Sequence, residues 1–78
     1  MEPSDFCKRW ITRVRPGERG WRAECCRELA KATGLSIRTI EGWGSDFSGR
    51  PEIIVTLLRK EDLLRQIARL SGSDNLEE

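Results

Sequence analysis

The chain predicts a small all-α protein, a compact domain of four or five helices, two of them central and joined by a tight turn. Three observations carry this expectation. Its 78 residues are enough for one core and no more. Hydrophobic residues make up 37% and charged residues 35%, polar for a globular domain but too apolar for a disordered one. In each segment between turn signals, apolar residues recur at helical spacing.

In the first segment, Ser4 reads as an N-cap with Asp5 in the first turn, and Phe6, Cys7, Trp10, Ile11 and Val14 share one face. The run Pro16-Gly17-Glu18-Arg19-Gly20 ends that helix. A second helix is expected over 21–33, with Cys25, Cys26, Leu29, Ala30 and Thr33 inward and Glu24, Arg27, Glu28 and Lys31 outward. Gly34 ends it, free to take positive φ. Ser36 caps a short third helix over 37–43, and 44–49 forms a loop with Phe47 as its apolar plug. Pro51 fits a first helical turn. Residues 52–70 carry two stripes, Ile53-Ile54-Leu57-Leu58 and Leu63-Leu64-Ile67-Leu70. Either the chain breaks near Lys60-Glu61-Asp62, with Asp62 as a cap, or one long helix shows one stripe to the core and the other to a partner. The domain spans 1–70, and 71–78 reads as a polar, acidic tail without fixed structure.

Net charge is only +1, but its distribution is uneven. Residues 7–50 hold ten Lys/Arg against five Asp/Glu, whereas 51–78 hold four against six. A basic front half suits an anion-binding face carried on a packing module; a solvated helix surface would show the same residues. The three cysteines, Cys7, Cys25 and Cys26, follow no disulfide framework and fit a reducing compartment. They read as small core residues, with a redox link from Cys7 to Cys25 or Cys26 as the alternative. The chain shows neither a leader pattern nor an apolar run of membrane-spanning length, so a soluble, cytoplasmic protein without membrane contact is expected. It contains no histidine, nucleophile elbow or phosphate loop. No enzymatic role, cofactor or metal site is expected.

The stretch Arg27-Glu28-Leu29-Ala30-Lys31-Ala32-Thr33-Gly34-Leu35-Ser36-Ile37-Arg38-Thr39-Ile40-Glu41-Gly42-Trp43 is the informative part. Two helices meeting through a three- or four-residue turn need a small residue at their crossing, a residue tolerant of left-handed φ in the turn, and an apolar plug after it. Ala30, Gly34 and Leu35 supply these, and Ile40 and Trp43 give the second helix a buried stripe. These residues resemble the helix-turn-helix of the Cro and repressor-like DNA-binding proteins over about twenty positions.

The resemblance implies a partner, double-stranded DNA, and a mechanism in which the second helix enters the major groove. Carried onto this chain, Ser36, Ile37, Arg38, Thr39, Glu41 and Gly42 occupy the base-facing positions. Arg38 can bond guanine O6 and N7 through two donors, Ile37 suits a thymine methyl, and Glu41 can accept from cytosine N4 or orient Arg38. Arg27 and Arg50, then Arg22 and Lys31, are the phosphate candidates. Leu63, Ile67 and Leu70 follow the spacing of a helix seam, which serves either the monomer's own core or a homodimer reading two half-sites. The implied role is a sequence-specific transcriptional regulator, with repression by occlusion as its simplest mode. A protein-interaction module and an architectural accessory of recombination are the alternatives on the same scaffold.

Overall fold

The structure is a computed structural model and describes residues 1–72, with side chains through Leu70. Four α-helices build the domain, and no strand occurs among the described residues. Helix α1 (Pro3–Trp10) starts one residue before the expected cap: Glu2 holds the N-cap position and Pro3, whose missing N–H costs nothing there, opens the first turn. Phe6 and Cys7 are fully buried. The helix stops at Trp10, short of the predicted end near residue 15, with Ile11 already extended at φ −95° and ψ 120°. Arg9 and Trp10 are held by Asp62 in the last helix, and the β-branched Ile11 and Thr12 leave helical geometry at little cost. Ile11 still packs on the core, and Glu18 closes the following loop by accepting from the Arg15 amide at 3.0 Å.

Helix α2 (Trp21–Thr33) has the boundaries expected of it. Gly34 caps its C-terminus at φ 79°, donating its amide to Ala30 at 2.9 Å. Only glycine takes that conformation without strain. Cys25, Cys26 and Leu29 are buried as expected. Glu24 and Glu28 are not on the solvent side: their side chains are 13% and 19% exposed. Each lies under an arginine from another part of the chain, Arg13 on Glu24 at 3.0 Å and Arg65 on Glu28 at 2.7 Å.

Helix α3 (Ile37–Glu41) is shorter than the 37–43 read from sequence; residues 42–43 form a turn, with the Trp43 amide on the Ile40 carbonyl. Ser36 caps it through a 3.1 Å bond from the Thr39 amide. Leu35, expected to plug the corner, is 37% exposed, and the plugging falls to Ile40 and Trp43. Phe47 does fill the next loop: it is 4% exposed at φ 61°, a left-handed conformation that costs about 1–2 kcal/mol and is offset by burying a ring.

Residues 52–70 form one helix and not two. Helix α4 (Glu52–Ile67) runs unbroken through Lys60-Glu61-Asp62 and ends in a π-helical turn (Ala68–Gly72). Asp62 is no cap. Its buried carboxylate accepts from Arg9 Nη1 at 3.2 Å, Trp10 Nε1 at 2.9 Å and Gln66 Nε2 at 2.7 Å. Of the apolar stripes, only Ile54 and Leu58 reach the core. The tail expected over 71–78 lies, beyond residue 72, outside the described residues.

The core joins Phe6 and Cys7 of α1, Cys25, Cys26 and Leu29 of α2, Ile40, Trp43 and Phe47 of the corner, and Ile54 and Leu58 of α4. Helix α2 is its hub: α1, α3 and α4 all pack on it, while α3 touches no other helix. Trp10 and Trp21 pack partly buried against this cluster. Arg65 ties α4 to the rest, bonded to Glu28 and Glu61 with its guanidinium 4.9 Å above the Phe6 ring. Burial works against its charge, but the hydrogen bonds to Glu28 and Glu61 prevail and raise its pKa. No helix among the described residues is long and apolar enough to cross a membrane.

Candidate nucleic-acid interface

The corner of α2 and α3 presents the base-facing candidates together. Ser36, Ile37, Arg38, Thr39, Glu41 and Gly42 are all exposed, while Ile40 between them is fully buried. One side of α3 therefore anchors the helix and the rest faces solvent. The candidates differ in how committed they are. The hydroxyls of Ser36 and Thr39 lie 3.0 Å apart and take part in the cap, so they are fixed in place. Arg38 makes no ion pair among the described residues, which leaves its donors open to an outside acceptor. Ile37 is 41% exposed and contributes a methyl surface beside it. A β-carbon at Gly42 would stand 3.3 Å from the Thr39 carbonyl, a tight fit that favours glycine where the helix ends.

The phosphate candidates separate into two kinds. Arg22 and Arg50 are internal ties. Arg22 donates to the carbonyls of Ser45 and Glu41, both at 3.2 Å, and stacks 4.8 Å from the Phe47 ring. It straps the start of α2 to the loop after α3 and so sets the angle at which α3 is offered. Arg50 grips Glu2 through two bonds of 3.0 and 2.9 Å and is 19% exposed. Arg50 also holds the Glu2 carboxyl below the usual glutamate range.

Arg27 and Lys31 are surface groups, 58% and 72% exposed, on Glu24 at 3.1 Å and Glu28 at 4.0 Å. Such pairs contribute little, typically about 0.2–1 kcal/mol, and can be exchanged for phosphate. Sequence reading passed over Arg13. It is 79% exposed, shares Glu24 with Arg27, and lines a shallow depression with Arg27, Lys31 and Ile37. Its spacing in the chain gives no hint of this, because it is brought to α2 by the end of α1 at Trp10. Three exposed cations therefore flank the start of α3.

The cysteines lie behind this surface, all three free and no more than 2% exposed. The contact with Cys25, together with burial, pushes the Cys7 thiol up, and burial does the same to Cys26. Leu63, Ile67 and Leu70, the seam candidates, are 50%, 59% and 84% exposed on α4 and its π-turn. Compared with family models, curated proteins and solved structures, the chain matches none.

Proposed function

We propose that this chain binds double-stranded DNA through the α2–α3 corner, with the exposed side of α3 in the major groove, and acts as a sequence-specific regulator of transcription. One observation carries the reading: Arg38 stands without an ion pair among the described residues, on a helix anchored by Ile40 and strapped by Arg22, beside the exposed cations Arg13, Arg27 and Lys31. Two parallel donors on a fixed helix suit guanine, and three loosely paired cations suit the backbone on either side. Glu41, next to Arg38 on the exposed surface, adds an acceptor for cytosine. Occlusion of a promoter by such a domain needs no further activity.

The test is fluorescence anisotropy on a labelled pool of random duplexes at two salt concentrations, followed by sequencing of the bound fraction. Salt-sensitive binding with an enriched motif is expected. Arg38→Ala should cost about 1–3 kcal/mol on the enriched site and relax one position of the motif. Arg27→Ala and Lys31→Ala should weaken all duplexes alike and flatten the salt dependence, by about one phosphate each. Absence of binding at low salt overturns the proposal.

A further inference from the structure

The outer face of α4 carries a surface the DNA reading does not use. Ile53, Leu57, Leu63, Leu64, Ile67 and Leu70 are 39–84% exposed along this helix and its π-turn. Ile53, Leu57, Lys60, Leu64 and Ile67 alternate four- and three-residue steps, the spacing of a helix-pairing seam. Monomeric domains rarely expose so continuous an apolar patch without a partner for it.

The charges around the seam are one-sided. From residue 53 to 70 the exposed charges are Arg59, Lys60 and Arg69, whereas the exposed acid of the helix, Glu52, stands at its first residue, 4.0 Å from Arg50. Of the two acids of the same stretch, Asp62 is buried on Arg9 at 3.2 Å, and Glu61, partly exposed, is paired with Arg65 at 3.0 Å. Arg69 rests over Trp10, 5.0 Å from the ring centroid, so Arg59 and Lys60 are the cations nearest to hand for a partner. Lys60 stands in the middle of the seam, where an ammonium group is unfavourable unless a carboxylate meets it.

We infer that the outer face of α4 docks an acidic amphipathic helix of another protein, its apolar side on Ile53, Leu57 and Leu64 and a carboxylate on Lys60. A second copy of this chain fits less well. Pairing around the middle of the seam would set Lys60 near its own image, where the neighbouring acids Glu61 and Asp62 are already paired with Arg65 and Arg9 and the exposed Glu52 stands two turns away at the start of the helix. A lipid surface fits less well too, because two available cations fall short of the clusters of about four to eight that bind anionic membranes. Helix α4 packs on α1 and α2 and not on α3, so this docking and DNA binding occupy separate surfaces.

The test displays a library of helical peptides with leucine at the seam positions and randomised flanks, selected on the full chain and counter-selected on Leu64→Asp. Enrichment of Glu and Asp at the flanks is expected. Lys60→Glu should reverse the choice toward Lys and Arg, changing affinity for a selected acidic peptide by about tenfold or more. Neutral or basic flanks, or no selectable peptide, overturn the inference. So does self-association in sedimentation equilibrium that Leu64→Asp abolishes, or binding to phosphatidylglycerol vesicles in place of peptides. Circular dichroism confirms folding of each variant, and unchanged duplex binding by Leu64→Asp separates this surface from the α3 face.

Discussion

The α2–α3 corner and the outer face of α4 both meet solvent, yet different things stand behind them. The corner is braced: Ile40 and Trp43 are buried beneath it, Ser36 caps it, and Arg22 ties it to the loop around Phe47. Its exposed groups are mostly polar and charged, held at set positions on a short helix. The α4 face lies on a helix held from its inner side by Ile54, Leu58, Asp62 and Arg65, and what it exposes is mostly apolar, with Arg59 and Lys60 among the leucines. The first arrangement suits recognition by hydrogen bonds, which needs fixed donors. The second suits burial against a surface of matching shape, which needs area and tolerates small shifts.

Substitutions can break or sharpen that contrast. The largest difference should come from truncating one leucine on each side of the core boundary. Leu29→Ala, at the hub under the corner, should cost about 2–5 kcal/mol in urea unfolding, because its cavity is surrounded by α1, α3 and α4 packing. Leu64→Ala, 61% exposed, should stay within about 0.5 kcal/mol of the parent. Equal costs would mean that α4's outer face is part of the monomer's core. Next comes Asp62→Ala. It removes the acceptor shared by Arg9, Trp10 and Gln66 and should cost about 1–3 kcal/mol, with a change in Trp10 fluorescence as the local sign. Unchanged stability would show that α1 docks through Phe6 and Cys7 alone.

Gly34→Ala tests the corner's turn by itself. A β-carbon there meets nothing within 4 Å, so the penalty is purely conformational, about 1–2 kcal/mol for a left-handed alanine. No loss in thermal unfolding would mean that the turn relaxes away from φ 79°. The smallest effect belongs to the Glu2–Arg50 tie. Because Glu2 is held below its ordinary range, its contribution is present above that range and fades as pH falls through the depressed value. Glu2→Gln should therefore lower stability slightly at neutral pH, leave the acid end unchanged, and so flatten the acid limb of a stability–pH profile. A steeper acid limb in the variant would contradict the tie.

What was legible in the chain follows contact range. The bounds of α2, the positive φ of Gly34 and the Ser36 cap depend on neighbours within a few residues, and they read directly from type and spacing. The end of α1 and the continuity of α4 did not. Periodicity carried α1 on through Val14, whereas its last turn is set by Asp62, 52 residues on from Trp10. Lys60-Glu61-Asp62 resembles a break only while the partners of the two acids are unseen. The site divides the same way. Exposure of Ser36 to Gly42 follows from the capped, half-buried helix, but the separation of Arg22 and Arg50 from Arg27 and Lys31 does not. Each arginine looks alike in sequence, and only its distance to a carbonyl or carboxylate distinguishes a structural tie from a surface cation.

By itself, the sequence determined the helices, the tight turn between the central pair, and which side of α2 is apolar, because local propensities and three- and four-residue periodicity are properties of a segment alone. Tertiary structure decided which charges are occupied, where α1 stops, and which leucines remain outside. Those outcomes turn on a competition between burial and pairing across distant segments. A carboxylate such as Asp62 becomes a core anchor only when Arg9 and Trp10 arrive to satisfy it, and a stripe such as Leu57 and Leu64 stays exposed only because α1 and α2 have already filled the other side of its helix.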